Sequence, residues 1–411
     1  MKRISLMLLA AMCCLMMFGA PHGKCGENLK WEYDKKTRTL YISGSGPMYD
    51  YDHGYNSATS KTIYRTPWKR FHTQIESVIM AEGITHIGSE AFEDDEALRS
   101  CQMPNTLIAI GKSAFSGTGL THIELPLSLQ KIERFAFSRC YNLEQMEIPA
   151  GVTDIGGWFA FADRRITSFY VDPANPRYCS VDGVLFDKRM KNLIMYPLGS
   201  PATSYTVPDG IETIEEISFY RAVNLKKIVL PESLKKIEEK AFEYCSTLQS
   251  INVPGSVNRI ERETFGSCSE LRNVELEEGL TAIDKGAFEY CKALMVLEVP
   301  TTVREIHGEA FKNSPNVQIR RGISRPQKQK AVAQNKQAQT SSKKMQQTRS
   351  TQAKQTTVQK ATTAKAATAA ATTEAKKVEA KPYVRSTKYG GPITQHRGLA
   401  PWTGVVGSGV Y

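Results

Sequence analysis

The cysteines are the residues of this 411-residue chain whose type most invites chemistry, because thiolates bind metals, form disulfides and act as nucleophiles. Nine are present, and seven of them follow the apolar start of the chain. No C-x-x-C pair occurs, although zinc sites commonly use such pairs. An odd number of cysteines also excludes complete pairing in disulfides. We therefore interpret the cysteines as structural thiols, and the sequence predicts no metal and no cofactor.

The histidines and serines give no catalytic pattern. The seven histidines are dispersed, and none stands at metal-ligand spacing from another. The chain has neither a G-x-S-x-G motif nor an H-E-x-x-H motif. The ISGSG sequence at 42–46 predicts a turn rather than a phosphate-binding loop, since no helix carrying Lys-Ser or Lys-Thr follows it. The sequence therefore predicts no catalytic residues and a protein that is not an enzyme.

A 23-residue repeat organises the middle of the chain and explains most of the cysteines. The common frame is L-x-x-I-x-I-P-x-x-V-x-x-I-x-x-x-A-F-x-x-C. We count ten units, which begin at Ile75, Leu98, Leu120, Leu143, Ile166, Ala202, Leu225, Leu248, Leu271 and Leu294. The unit at Leu98 is one residue short. The cysteine place of the frame is filled by Cys140, Cys245, Cys268 and Cys291. These four thiols should therefore form a line, one in each of their coils.

The apolar places of the frame predict a solenoid of short parallel strands. The first, fourth and sixth places make a strand whose alternating apolar side chains point inward, and the proline at the seventh place ends it. The tenth and thirteenth places turn back toward the core. Ala-Phe then closes the coil, with Phe filling the interior. One unit cannot bury its own apolar face, so successive units must stack.

This frame closely resembles the BspA-like class of leucine-rich repeats, which occur in bacterial surface proteins and in some parasitic protists. The resemblance covers about 25–317 and predicts a leucine-rich-repeat solenoid at 75–320, with irregular or helical turns. The starting sequence CGENLKWEYD and the later TLYISGSGPMYDYD resemble the family's N-terminal hairpin, which implies a β cap at 25–74. The segment NPRYCSVDGVLF resembles a family insertion, which we place at 173–201 with VDGVLFD and KNLIMYP as hairpin partners.

The two ends of the chain differ from the repeats. A basic start precedes an apolar run at 4–18 that is too short for a bilayer of ~30 Å, so we predict a signal peptide at 1–20. Residues 325–381 are mostly Lys, Gln, Thr, Ala and Ser and are predicted to be a disordered basic tail. A short segment rich in Gly and aromatic residues follows at 382–411. From residue 325 onward, 16 Lys and Arg face 2 Asp and Glu, a net charge of +14, while the preceding 324 residues carry a net charge of −3.

The outward third and fifth places of each strand predict a polar stripe that could bind a partner. The candidate binding residues are His122, Glu124, Gln145, Glu147, Tyr170, Lys227, Asn252, Asn273, Glu275 and Glu298. The aromatic ring of Tyr170 would suit an anchor, and the acidic places favour a partner with basic patches. The insertion at 173–201 is a second candidate contact surface. A solvated face without a partner remains the alternative.

The sequence leads to a functional hypothesis and to two alternatives. The hypothesis is an exported protein, located on the cell surface, in the outer envelope or in the medium. The family resemblance implies that such a protein binds extracellular host proteins or other microbial cells. The first alternative is a structural envelope component that the basic tail tethers to an anionic glycan. The second is nucleic-acid binding by the tail, against which the predicted export signal argues.

Overall fold

The computed structural model describes residues 20–51, 54–56, 61–63, 66–156, 158–161 and 165–322. Apart from its last residue, the predicted signal peptide lies outside the described residues, as do the predicted tail segments at 325–381 and 382–411. No helix in the described part of the chain has both the length and the apolar character needed to cross a membrane.

An antiparallel hairpin precedes the repeats and extends their sheet. The early strands are β1 (His22–Lys24), β2 (Leu29–Asp34), β3 (Thr39–Gly44), β4 (Gly46–Pro47), β5 (Gly54–Asn56) and β6 (Lys61–Ile63), and a 3-10 helix at Lys69–Phe71 follows them. Strands β1, β2 and β3 are antiparallel neighbours. Strand β3 then runs parallel to Ser77–Met80, the first strand of the repeats. The hairpin thereby occupies the edge that the first coil would otherwise expose.

The repeats give one or two short strands per coil. In chain order these are β7 (Ser77–Met80), β8 (Ile84–Ile87), β9 (Ser100–Gln102), β10 (Ala109–Ile110), β11 (Lys131–Ile132), β12 (Gln145–Ile148), β13 (Asp154–Ile155), β14 (Ser168–Val171), β15 (Tyr178–Val181), β16 (Val184–Asp187), β17 (Asn192–Met195), β18 (Ser204–Thr206), β19 (Thr213–Ile214), β20 (Lys227–Val229), β21 (Lys236–Ile237), β22 (Ser250–Val253), β23 (Arg259–Ile260), β24 (Asn273–Leu276), β25 (Ala282–Ile283), β26 (Val296–Val299), β27 (Glu305–Ile306) and β28 (Gln318–Arg321). A second 3-10 helix spans Trp158–Phe161.

The strands pair in parallel from coil to coil, which confirms the predicted solenoid. Equivalent residues lie side by side, as Ile251 of β22 and Val274 of β24 do. Strands at the third to sixth places form one side, which we call the strand face. Strands at the twelfth and thirteenth places form a second side, with Ile260 of β23 beside Ile283 of β25. The inward residues of both sides are buried, so each coil covers the apolar edge of its neighbour.

The strand face is interrupted, whereas the sequence predicted one continuous face. In the coil that begins at Leu120, residues 121–126 form no strand, and the ladder stops at β9 and resumes at β12. This coil follows the one that lacks a residue. The strand face is interrupted again at the insertion, where β15, β16 and β17 form an antiparallel meander between β14 and β18. It is interrupted once more between β24 and β26, which belong to separate sheets.

A column of stacked aromatic rings forms the centre of the solenoid. Ring centroids of successive coils lie 5.0–6.1 Å apart with nearly parallel planes. The column has two runs, one of Trp68, Phe92, Phe115, Phe137 and Phe161, and one of Tyr196, Phe219, Phe242, Phe265, Phe288 and Phe311. The predicted interior position of the Ala-Phe pair is therefore confirmed.

The turn that carries each Phe uses a strained backbone. Lys240 and Tyr244, at the 16th and 20th places, have φ values of 57° and 61°. Left-handed φ costs a residue other than Gly about 1–3 kcal/mol. Between them, the Phe242 amide donates to the Thr264 carbonyl of the next coil over 3.0 Å. The same link recurs along the solenoid, so these turns form a third ladder between coils.

Candidate binding surface

The line of cysteines is part of the scaffold. The Sγ atoms of Cys245, Cys268 and Cys291 each donate to the carbonyl of the Phe in the preceding coil, over 3.1–3.2 Å. Burial raises the pKa of Cys245 and of Cys291 to about 12, which keeps each thiol protonated and able to donate. None of the seven cysteines among the described residues forms a disulfide, and no cluster of three or more metal-binding side chains occurs within that part of the chain.

The first part of the predicted stripe contains an exposed aromatic ring beside a carboxylate. Gln145 and Glu147 point outward from β12, and both are exposed. Tyr170 is the direct neighbour of Glu147 on β14, and its side chain is 51% exposed. Met146 and Ile148, which alternate with these residues, are buried. The pleat of the strands therefore fixes the outward direction of Gln145, Glu147 and Tyr170. Because their backbone is already ordered, binding a partner would cost little conformational entropy.

His122 and Glu124 do not lie on a strand, so the strand predicted for them is wrong. Both side chains are exposed, and the imidazole Nε2 lies 3.8 Å from the Glu124 carboxylate. Their coil follows the short coil, and residues 121–126 form no ladder with the strands on either side. Ile123 between them remains buried. The pair thus lies in the coil before Gln145, Glu147 and Tyr170. The buried Ile123 anchors it, whereas those residues are anchored by a sheet.

The second part of the predicted stripe is mixed in charge. Lys227 is exposed on β20, and Asn273 and Glu275 are exposed on β24. Asn252 on β22 is committed to the scaffold, because its side-chain amide bonds both the N–H and the carbonyl of Leu230 in the neighbouring coil.

The stripe changes charge in the last two strands of the solenoid. Glu298 on β26 lies beside Arg320 on β28. A basic residue therefore follows the acidic ones at the fifth place. A partner that covers this end would meet both signs of charge.

The insertion separates the two parts of the stripe and is firmly attached. The Phe169 amide donates to the Gly183 carbonyl over 2.9 Å, so the β15–β16 hairpin lies against β14. Asn175 is fully buried and donates to the carbonyls of Pro149 and Val152 over 2.9 and 2.8 Å. The hairpin turn at Asp182–Gly183 has positive φ at both residues, as a two-residue turn of this kind requires.

Several exposed aromatic residues on the turn side were missed by the sequence reasoning. Tyr141, Tyr244 and Tyr290 are 40–57% exposed. The Arg221 guanidinium lies 5.1 Å from the centre of the Tyr244 ring, within the range of a cation–π contact. Their signal in the sequence was the 20th and 22nd places of the frame, which flank the buried cysteine place and face away from the core. Because the repeats were aligned on their apolar inward places, the tyrosines at these outward places were not compared.

Shallow recesses lie on that side of the described surface. One, of about 660 Å³, is lined by Tyr290 and Phe311 near the end of the described repeats. Another, of about 440 Å³, lies at Gly117 and Gly119 in the short coil and has Arg139 in its wall. Neither recess contains a nucleophile beside a base, so neither suggests a catalytic centre.

A family model for the "BspA type Leucine rich repeat region" matches the chain in six copies, over residues 62–177 and 199–318. These segments make up more than half of the chain. No curated protein matches it. The comparisons indicate a repeat family and no catalytic one.

Solved structures of bacterial proteins resemble the chain at low sequence identity. A leucine-rich repeat protein from Eubacterium ventriosum is 20% identical, with a TM-score of 0.51 over 76% of this chain and 97% of that one. A leucine-rich cell surface protein from Faecalibacterium prausnitzii is 22% identical, with a TM-score of 0.48 over 75% and 97%. The pneumococcal vaccine antigen PcpA is 20% identical, with a TM-score of 0.49 over 73% and 88%. The first of these likenesses shows the fold.

Proposed function

The chain belongs to the BspA-type leucine-rich repeat family, and on that basis we propose that it is an exported protein that binds other proteins through its strand face. The observation that carries this proposal is the outward arrangement of Gln145, Glu147 and Tyr170 on β12 and β14. There an exposed aromatic ring, Tyr170, stands beside the carboxylate of Glu147 on a backbone fixed by ladder hydrogen bonds. A rigid aromatic residue flanked by polar groups is the usual centre of a protein interface.

The partner we propose is an extracellular host protein, or a protein on another microbial cell, that presents a basic patch. Glu124, Glu147, Glu275 and Glu298 bring negative charge to the strand face. Opposite charges across an interface speed the encounter of the two proteins and favour correct partners over wrong ones. The insertion extends this surface, because its hairpin lies directly against β14.

Charge reversal on the strand face tests the proposal and locates the site. The full chain is offered to immobilised extracellular matrix proteins, and the double variant Glu124→Lys with Glu147→Lys is compared with Glu275→Lys with Glu298→Lys. We expect the first pair to weaken binding about tenfold or more, since charge pairs at interfaces contribute on the order of 1 kcal/mol or more each. Tyr170→Ala should weaken binding as well.

The matched control reverses two exposed carboxylates away from the strand face, in the variant Glu239→Lys with Glu305→Lys. It changes net charge by the same amount and should leave binding unchanged. Equal binding by all the variants and the unaltered chain would show that the strand face is not the binding site.

A second candidate function is that of an envelope component held by its basic tail. The observation in its favour is the net charge of +14 from residue 325 onward. Deletion of 325–411 should then release the protein from cells at low salt, and high salt should release the intact protein, because screening weakens such contacts. Retention of the truncated protein at low and high salt would contradict tethering by the tail.

A further inference from the structure

One buried carboxylate departs from the repeat pattern. The cysteine place of the coil that begins at Ile75 holds Asp95, whose side chain is 2% exposed. In later coils, Cys268 and Ser314 at this place each donate to a Phe carbonyl of the preceding coil. An ionised carboxylate cannot donate, and burying it without compensation is costly. The first coil therefore uses this place for something other than the link found in later coils.

The group that faces Asp95 is a lysine from the N-terminal cap. Lys69 belongs to the 3-10 helix before the first coil, and its side chain is only 18% exposed. Its Nζ lies 3.9 Å from Oδ1 of Asp95 and donates to the Glu93 carbonyl over 3.4 Å. The other carboxylate oxygen of Asp95, Oδ2, is buried and has no hydrogen-bond partner.

Aromatic packing holds the two residues at this separation. Trp68, next to Lys69, is fully buried and stacks on Phe92 with ring centroids 5.5 Å apart. Its indole N–H donates to the Ala91 carbonyl over 3.0 Å. Both ends of the pair are therefore attached to the aromatic column. Among the ion pairs between fully described side chains, this is the one best shielded from water; the similarly spaced Lys112 and Glu90 pair has its lysine 55% exposed.

The surroundings also favour the uncharged forms of both groups. Burial raises the pKa of Asp95 to about 8, although the nearby Lys69 charge opposes this. Burial likewise lowers the pKa of Lys69, against the opposing effect of Asp95, Asp94 and Glu93. Transfer of a proton from the ammonium to the carboxylate gives the uncharged pair that both shifts favour. This transfer leaves an amine, which is nucleophilic, beside a carboxylic acid, which is electrophilic.

We propose that Lys69 and Asp95 condense into an isopeptide bond that joins the cap covalently to the first coil. The lone pair of Nζ attacks Cγ of Asp95, and a C–N bond forms. One carboxyl oxygen leaves as water, taking two protons that the ammonium carried. The ion pair thus becomes an amide and one water molecule, with no oxidant, reductant or other reactant.

The amide bond would remove the free-energy cost of burying the ion pair. An amide is neutral, so the cost of keeping two charges away from water disappears. The cross-link also closes a loop between Lys69 and Asp95, which restricts the unfolded chain as a disulfide does. The 3-10 helix that carries Lys69 could then no longer separate from the first coil.

Mass spectrometry of the purified full chain tests the proposal directly. The intact mass should be about 18 Da below the mass calculated for the sequence from the N-terminus actually present, which N-terminal sequencing identifies, and the difference is the loss of one water. Trypsin should fail to cleave after Lys69, and a branched peptide should link the segment of Lys69 to that of Asp95. An intact mass equal to that of the sequence would overturn the proposal.

Variants separate this bond from other losses of water. Lys69→Arg and Asp95→Ala should each restore the full mass, whereas the control Lys112→Arg should keep the loss. Asp-Gly sequences such as Asp182–Gly183 can also lose water within one peptide. A loss that maps there, with no branched peptide, would contradict the cross-link. The measurement on the unaltered chain is decisive even if a variant fails to fold.

Discussion

At the scale of single residues, the cysteines show what the sequence reveals and what it hides. Their common place in the frame predicted buried structural thiols, and the structure has them buried. Their hydrogen bond to the Phe carbonyl of the preceding coil was not predictable, because it joins atoms of different coils across the stack. Ser314 fills the same place and likewise donates to a Phe carbonyl of the preceding coil, whereas Thr118 donates to the Phe115 carbonyl of its own coil.

This hydrogen bond makes a prediction about stability. Cys268→Ser should retain a donor and cost little free energy of unfolding, whereas Cys268→Ala leaves the Phe242 carbonyl without its bond and should cost about 1–3 kcal/mol. Urea denaturation measures both. Cys101, which packs against the core from the fourth place, is the control, and there Ser should cost more than Ala. If Cys268→Ser costs more free energy of unfolding than Cys268→Ala, as expected at Cys101, then the hydrogen bond of Cys268 does not stabilise the fold.

The sequence predicted which candidate binding side chains point outward, but not which of them are engaged in hydrogen bonds within the scaffold. The period of two along a strand placed Gln145, Glu147 and Tyr170 outward, and the structure has them partly or fully exposed. The same reasoning placed Asn252 outward without showing that its amide is bonded to the Leu230 backbone. Side-chain partners in the next coil depend on rotamers, which a repeat frame does not contain.

At the scale of elements, the period of 23 residues predicted the coils, the strand and the Phe turn. It did not predict the break of the strand face in the coil after the short one. The repeat frame fixes the apolar places of a coil but not its ladder hydrogen bonds, which depend on the backbones of two neighbouring coils. The third ladder through the turns was also hidden, because its left-handed residues include Lys240 and Tyr244, which are not typical of turns.

The aromatic column should dominate the stability of each coil. Phe242 is fully buried between Phe219 and Phe265, so Phe242→Ala should cost about 3–5 kcal/mol by loss of burial and creation of a cavity. The exposed Tyr290, removed in Tyr290→Ala, should change the free energy of unfolding by no more than about 0.5 kcal/mol. Thermal or urea unfolding measures both. Similar losses for the two variants would show that the column does not hold the coils together.

At the scale of the whole molecule, charge is distributed unevenly along the chain. The residues before 325 have a net charge of −3, and those from 325 onward have +14. The acidic residues of the proposed binding face and the basic tail therefore belong to different parts of the chain. The basic pI of about 9.1 describes the tail and gives no reason to assign nucleic acid as the partner of the repeats.

The account depends on a binding face that meets partners outside the cell. The direct test is detection of the repeats with an antibody on intact producing cells and in their medium, compared with detection after lysis. We expect the protein on the surface or in the medium, with its N-terminus near residue 21 after removal of the signal peptide. A protein that becomes detectable only after lysis, and still begins with Met1, would contradict the account.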